Sequence, residues 1–327
     1  MFAVMTIPFL LLAATSLVAA DDTTYNVNAI CTWSVAIQER APHKMSAILM
    51  ASLADISSLD SSYNGTYFNT YSDTYDNAPS FNGYTGFIND YYDDEGCIYN
   101  DISGGLDTPC GGLYWSKTET YIASIANELY IALAAGLANR VSSDLAGPYL
   151  DAAVTGWDWF VNIGVVGDDW LVVDGVDNNT CQPTGNKYSY NQGVIISAAV
   201  ELAQATGNSS YLEYAGNIAN ATTAANSTFT DANGVLADCA NNSCDIQGAM
   251  FKGPLFRGLR QLQLAYPHDN WKNFIETNAR SLWNNALNDT NGDCHTGSAL
   301  EGPMTDVNEA TQGAALDCLV AAWAVTS

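Results

Sequence analysis

The chain is poor in basic residues, and this shortage argues against two classes of function. Only ten lysines and arginines stand against 35 aspartates and glutamates in 327 residues, so the net charge is −25. Binding to nucleic acid or to an anionic membrane surface needs a basic surface, which this composition does not offer. The acidity is compatible with a neutral or cationic partner, such as an uncharged polysaccharide, or it serves solubility alone.

Motifs for metal, cofactor and serine-nucleophile chemistry are also lacking. The three histidines, His43, His268 and His295, show no metal-ligand spacing, and His-Glu-x-x-His is absent. There is no Gly-x-Ser-x-Gly elbow and no glycine loop for phosphate. The stretch "DTNGDC" at 289–294 has its glycine at the wrong position for a calcium loop and is better interpreted as a turn. We therefore predict neither a metal nor a cofactor.

Long hydrophobic runs are confined to the first twenty residues. Residues 1–20 are almost purely apolar and end with small residues at Val18 and Ala20, which is typical of a secretory signal peptide, although a buried N-terminal helix is the alternative. We expect a single domain over 21–327, without a membrane anchor, secreted to the extracellular space or cell wall.

Two further features favour an oxidising, extracellular environment. The eight cysteines are compatible with disulfides, and Cys239 and Cys244 are close enough in sequence for a local bridge. Seven Asn-x-Ser/Thr sequons are typical of a glycoprotein; they begin at Asn64, Asn178, Asn208, Asn220, Asn226, Asn241 and Asn288.

From residue 120 onward, apolar residues recur three and four positions apart, which predicts a succession of helices. The main exception is "WLVVDGV" at 170–176. Helices of similar character contain Tyr149, Tyr211 and Asn273, which are spaced by 62 residues, and Gln-Gly pairs open other helices between them. A repeated helical hairpin must bury its apolar face against neighbouring hairpins, so we expect either an open solenoid or a closed ring.

Two consecutive aspartates, Asp93 and Asp94, follow two tyrosines in "DYYDDEG". Their carboxyl groups can lie roughly 5 Å apart, the separation used by retaining glycosidases, and their repulsion would help one of them stay protonated. The alternative is a solvated turn or a helix N-cap.

Several ordered motifs across about residues 84–325 resemble glycoside hydrolase family 76, the endo-α-1,6-mannanases of fungi and bacteria. They include "TPCGGLYWSKTETYIASIANELYIALAAGLA", "WDWFVNIGVV", "SYNQGVIISAAVELAQATGN" and "CDIQGAMFKG". The resemblance implies an all-α fold, an (α/α)6 toroid of helical hairpins. It also implies retaining cleavage of internal α-1,6-mannosidic bonds in mannan or mannose-rich wall glycans, with Asp93 as nucleophile and Asp94 as acid/base.

The same resemblance implies a set of residues that line the substrate cleft. Trp115 and Tyr190 would stack on sugar rings, and the polar members would bind hydroxyl groups. The alternative for the glycines is turn geometry, and for Asn127 and Gln192 it is bonding at helix ends. The full set is Gly111, Gly112, Trp115, Asn127, Tyr190, Asn191, Gln192, Phe251 and Lys252.

The chain departs from the family pattern after Gly96. Only "CIYNDISGGLD" occupies the place of a Trp-Trp motif and a full helix, so the first hairpins are expected to be incomplete. We therefore predict a monomeric mannanase of impaired activity. The rival hypotheses are a non-catalytic mannan-binding protein and a cell-wall transglycosidase that acts on mannose-containing anchors.

Overall fold

A computed structural model describes residues 108–115, 120–141, 143–225, 227–238, 246–288, 295–297, 299–302 and 309–326. This part of the protein is mainly helical, and a π-helical turn at Leu282–Ala286 directly follows the α-helix that ends at Ser281. In chain order the α-helices are α1 (Ser124–Arg140), α2 (Ala146–Asn162), α3 (Ser189–Thr206), α4 (Ser210–Thr223), α5 (Ile246–Met250), α6 (Lys252–Ala265), α7 (Asp269–Ser281) and α8 (Glu309–Thr326).

The helices form an inner row and an outer row. Helices α1, α3, α6 and α8 pack side by side in chain order, and α2, α4 and α7 pack against them. Helices α1 and α2 both have 17 residues, but α1 buries nine of them and α2 only three. A helix that is buried on most sides must be apolar on most sides, whereas an outer helix needs only one apolar stripe. The predicted repeat of helical hairpins is confirmed, and residues 149, 211 and 273 all fall on outer helices.

One predicted helix is broken in two. The pattern of 249–266 predicts continuous helix, but α5 ends at Met250 and α6 begins at Lys252, with Phe251 between them. Pro254 explains the break, because proline lacks an N–H and is tolerated only in the first turn of a helix. Helix α6 therefore has to start shortly before Pro254.

Two glycines allow α3 and α6 to approach closely. A Cβ atom on Gly193 would overlap the carbonyl oxygen of Pro254, and one on Gly258 would overlap the carbonyl oxygen of Gly193. The Gln-Gly pair at 192–193, noted in the sequence as a helix opening, therefore also marks a crossing point of two inner helices.

A small antiparallel sheet lies beside the start of α1. Its strands are β1 (Ile122–Ala123), β2 (Val173–Val176) and β3 (Pro183–Lys187), in that order, while β4 (Leu287–Asn288) pairs with β5 (His295–Thr296) elsewhere. Strand β2 confirms the extended character of "WLVVDGV". Strand β3, "PTGNK", was not predicted, because it has no alternating apolar pattern and is largely exposed.

A disulfide joins Cys110 to Cys181 and ties the segment before α1 to the turn between β2 and β3. Cys318 is a buried free thiol, and burial raises the pKa of this thiol. The predicted Cys239–Cys244 bridge lies outside the described residues. None of the helices in the described ranges combines the length and the apolarity that crossing a bilayer requires.

Candidate active site

A cleft of about 1540 Å3 lies where the N-terminal ends of the inner helices meet the β2–β3 hairpin. Its walls are rich in aromatic rings. The rings of Tyr188 and Tyr190 stack with centroids 5.6 Å apart, and Phe251 lies 4.3 Å from Tyr190. Trp115 also lines the cleft with 54% of its surface exposed. Aromatic walls with a few fixed polar groups are typical of ligand sites.

Asp174 on β2 is a carboxylate in this cleft that two tyrosines hold by hydrogen bonds. Tyr190 donates its hydroxyl hydrogen to Oδ1 at 2.8 Å, and Tyr121 donates to Oδ2 at 2.9 Å. Burial and, after it, the hydrogen bond to Asp174 raise the pKa of both tyrosines, so both phenols stay protonated. The two phenols therefore fix the plane of the carboxylate.

Glu128 lies in the first turns of α1, fully buried and close to Asp174. Neither of its carboxyl oxygens has a hydrogen-bond partner among the residues that the structure describes. Burial, and then the charge of Asp174, raise the pKa of Glu128 well above its ordinary value. An ionised carboxylate at this depth would be very costly without a partner, so Glu128 is held in its neutral form.

Asn127, the preceding residue, is equally buried but fully bonded. Its amide oxygen accepts the N–H of Leu113 at 2.8 Å, and its amide nitrogen donates to the carbonyl oxygens of Leu113 and Ala123. The side chain thus joins the loop before α1 to the helix itself. We call this arrangement an amide clasp: one side-chain amide that bonds both a loop backbone and the carbonyl four residues earlier, which belongs to the N-cap or to a later residue of its own helix.

The amide clasp recurs twice among the described residues. Gln192 accepts from the N–H of Val172 at 2.9 Å and donates to the carbonyl oxygens of Val172 and Tyr188. Asn278 accepts from the N–H of Leu236 at 2.8 Å and bonds its own helix in the same manner. Sequence reasoning named Asn127 and Gln192 but not Asn278.

Gly111 and Gly112 adopt positive φ angles of 71° and 74° and pack against Trp159 of α2. A Cβ atom on Gly112 would lie 2.5 Å from the Trp159 ring and 2.7 Å from Oδ1 of Asn127. Trp159 in turn donates its indole N–H to the carbonyl oxygen of Cys110 at 2.9 Å. Turn geometry and close packing therefore account for both glycines.

At another wall of the cleft, buried Lys252 forms an ion pair with Asp238 at 2.8 Å. Asp238 also accepts a hydrogen bond from Ser189 at the start of α3. Asp238 lines the cleft, whereas Lys252 lies behind it with 1% of its surface exposed. The pair joins α6 to the segment that follows α4 in the chain.

The structure thus separates the nine predicted binding residues into two groups. Trp115, Tyr190 and Phe251 line the cleft, and a direct contact with ligand stays a prediction for them. The others contact protein around it, and their binding role is likewise a prediction that the geometry does not test; they are Gly111, Gly112, Asn127, Asn191, Gln192 and Lys252. Asn191 differs from the rest of this group, because its buried amide has no hydrogen-bond partner in the described ranges.

Asp93 and Asp94 lie outside the described residues, so their predicted roles are untested. Sequence reasoning missed Asp174, Tyr121 and Glu128. A polar residue within the apolar strand "WLVVDGV" was an available signal for Asp174, but nothing in the sequence shows that Tyr121 and Tyr190 converge on it. Within the described ranges, no three His, Cys, Asp or Glu side chains are grouped so that they could hold a metal ion.

Comparison with solved structures identifies the fold. An inactive variant of the α-1,6-mannanase of Salegentibacter sp. HEL1_6, in which two consecutive aspartates are replaced by alanine, was solved in complex with α-1,6-mannotetrose. It superimposes with a TM-score of 0.62 at 24% identity, over 74% of this chain and 71% of that one. The likeness confirms the predicted toroid of α-helical hairpins.

Two curated fungal proteins resemble the chain in sequence. The mannan endo-1,6-alpha-mannosidase DCW1 of Candida albicans is 30% identical over 128 residues, and a provisionally named mannan endo-1,6-alpha-mannosidase of Schizosaccharomyces pombe is 34% identical over 123 residues. The matched segments are 36% and 35% of this chain and 28% and 27% of those proteins, respectively. The sequence model of glycosyl hydrolase family 76 matches residues 96–326, more than two thirds of the chain. The chain therefore belongs to glycosyl hydrolase family 76.

Proposed function

We propose that this protein hydrolyses internal α-1,6-mannosidic linkages of mannan with retention of configuration. The family match over residues 96–326 carries the proposal. The aromatic cleft supports it, since a mannan chain is neutral and offers apolar C–H faces to flat rings. The two fungal relatives are named as mannan endo-1,6-alpha-mannosidases, and the bacterial neighbour was solved with α-1,6-mannotetrose, so both point to α-1,6-mannan as the substrate class.

The proposed chemistry uses Asp93 and Asp94. Asp93 attacks the anomeric carbon as a nucleophile, while Asp94 donates a proton to the leaving glycosidic oxygen, so that a covalent mannosyl-enzyme forms. Asp94 then removes a proton from water, which attacks the same carbon from the opposite side and releases the mannose end with its original configuration. The inactivity of the bacterial neighbour that lacks two consecutive aspartates supports this assignment.

The cleft residues would hold the polymer during these steps. Trp115, Tyr190 and Phe251 offer exposed or half-buried ring faces on one cleft. We further propose that the protein is secreted and works as a monomer. Two of its sequons begin at exposed residues, Asn208 just before α4 and Asn220 on the surface of α4. This exposure is compatible with glycosylation.

The test is the release of reducing ends from linear α-1,6-mannan, with the anomer formed first identified by proton NMR. Asp93→Asn and Asp94→Asn should each lower kcat by at least about a hundredfold, because Asp93 forms the covalent intermediate and Asp94 transfers the proton in both steps. Asp168→Asn is the matched control, since Asp168 also belongs to an aspartate doublet but is exposed and outside the cleft lining. An inverted first product would contradict retention. Binding of mannan without turnover by the unmodified chain would favour the mannan-binding hypothesis instead.

A further inference from the structure

Two glycines leave space around Asp174. Gly175 follows it on β2, and a Cβ atom there would overlap the carbonyl oxygen of Ile122 and crowd the Tyr121 hydroxyl. Gly185 on β3, with φ of 95°, faces Asp174 from the other side, and a Cβ atom there would lie 2.7 Å from the Cβ of Asp174. The two glycines therefore let the tyrosine reach the carboxylate and leave the carboxylate open to the cleft.

The hydrogen bonds of this cluster leave acceptor capacity unused. A carboxylate offers about four lone-pair sites, and the phenols of Tyr121 and Tyr190 occupy two of those on Asp174. Each phenol oxygen donates its only hydrogen to Asp174 and keeps its lone pairs. The cluster therefore offers acceptors in a fixed arrangement, and acceptors bind hydroxyl donors.

Two buried polar side chains next to this cluster have no hydrogen-bond partner within the described part of the chain. Glu128 interacts electrostatically with both Asp174 and Tyr190, and neither of its carboxyl oxygens is bonded. The amide of Asn191, adjacent in sequence to Tyr190, is also fully buried and unbonded. Folded proteins rarely leave such groups unpaired, so the packing beside Asp174 is not that of an ordinary structural core.

The charge at the cluster disfavours an anionic ligand. Asp174 lies in the cleft wall, and the two described cations that line the cleft, Lys187 and Arg257, are paired with Asp169 and Asp317, respectively. A phosphate or carboxylate group would face an uncompensated negative charge there. A neutral ligand with several hydroxyl groups fits both the charge and the acceptors.

We infer that Asp174, oriented by Tyr121 and Tyr190, accepts hydrogen bonds from two neighbouring hydroxyl groups of one neutral sugar residue and so determines which monosaccharide the cleft holds. The inference deepens the proposed function and rests on it for the identity of the sugar. Asp174 is a specificity-determining residue in this scheme, and the tyrosines position it.

The test measures the affinity of α-1,6-mannotriose by calorimetry in a chain that carries Asp93→Asn and Asp94→Asn, so that no hydrolysis occurs. Added to this reference, Asp174→Asn should weaken Kd by about tenfold or more, because a charged acceptor is lost. Tyr121→Phe and Tyr190→Phe should each weaken it by about threefold to tenfold. The controls are Tyr114→Phe, whose hydroxyl bonds Asn178 away from the cleft, and Asp151→Asn on the exposed face of α2, and both should leave Kd unchanged.

A second measurement leaves the protein unaltered and alters the sugar. Deoxy sugars that lack either of the two hydroxyl groups bonded to Asp174 should bind the reference chain more weakly. In the Asp174→Asn chain the same sugars should lose little further affinity, since the two changes remove the same hydrogen bond. Equal losses in both chains for every deoxy sugar, or an unchanged Kd in Asp174→Asn, would overturn the inference. Failure of the reference chain to bind mannotriose would also overturn it, whereas the release of reducing ends decides the proposed function separately.

Discussion

Neighbouring residues near the start of two inner helices are equally buried but differ in their hydrogen bonding. Asn127 and Gln192 use every polar atom of their side chains in amide clasps, whereas the side chains of Glu128 and Asn191, directly adjacent to them, bond to no residue that the structure describes. Successive residues on a helix point about 100° apart, so one member of each pair reaches the loop while the other turns away from it. The comparison teaches that burial alone does not reveal a role. The bonded amides hold the loops in place, and the unbonded groups carry a cost that a purely structural core would have removed.

The largest expected effect follows from breaking the Gln192 clasp. Gln192→Leu leaves the N–H and the carbonyl of Val172 buried without partners, and each unsatisfied group costs about 1–3 kcal/mol, so the free energy of unfolding should fall by about 3 kcal/mol. Urea denaturation measures the change. Gln204→Leu, at an exposed position of the same helix, is the control and should stay within about 0.5 kcal/mol. Equal losses in the two variants would refute a special role for the clasp.

Breaking the Asn127 clasp should cost less, about 2 kcal/mol, because the disulfide between Cys110 and Cys181 also holds the loop that contains Leu113. The loss caused by Asn127→Leu should therefore grow in a chain that carries Cys110→Ser and Cys181→Ser. Urea denaturation of the four chains of this double-mutant cycle measures the coupling. Simple additivity would mean that the two constraints act on different parts of the loop.

Replacing Glu128 by glutamine should stabilise the protein at neutral pH. The folded state holds the pKa of Glu128 above its ordinary value of about 4.5, so the folded protein binds a proton that the unfolded chain releases. The free energy of unfolding therefore falls as pH rises from the ordinary pKa to the raised one, and glutamine avoids this loss.

Thermal denaturation from pH 4 to pH 8 measures the effect of Glu128→Gln. The gain in stability should be small at pH 4, where the glutamate is mostly neutral in both the folded and the unfolded chain, and it should grow as the pH rises. Glu213→Gln, at an exposed position of α4, controls for the loss of one acidic group. A gain that is the same at every pH would contradict the assignment of Glu128 as a neutral acid.

The smallest effect is expected for Asn191. Its amide makes no hydrogen bond to the described part of the protein, so Asn191→Leu removes a buried polar group without leaving a partner there unsatisfied. The free energy of unfolding should change by less than about 1 kcal/mol in urea denaturation, in contrast to Gln192→Leu at the next position. A loss as large as that of Gln192→Leu would show that Asn191 has a structural partner.

The sequence predicted the helices well, because their apolar spacing is continuous over three or more turns in α1, α3 and α8. It failed where a single residue overrides the pattern, as Pro254 does by dividing 249–266 into two helices. It also missed β3, whose pairing with β2 depends on backbone hydrogen bonds rather than on an apolar pattern.

The candidate site was only partly accessible to the same reasoning. The motif residues Trp115, Tyr190 and Phe251 were named, and the structure places all three on one cleft. Their spacing could not reveal Asp174, because the bonds that orient it come from Tyr121 and Tyr190, which are 53 and 16 residues away in sequence.

By itself the sequence determined the acidity, the helical-hairpin repeat and the family, since charge, periodicity and motif order are properties of the linear chain. Tertiary structure alone decided which polar side chains are satisfied and which are not. Hydrogen-bond satisfaction depends on distances of about 3 Å between residues from different elements, and these distances exist only once the helices have packed.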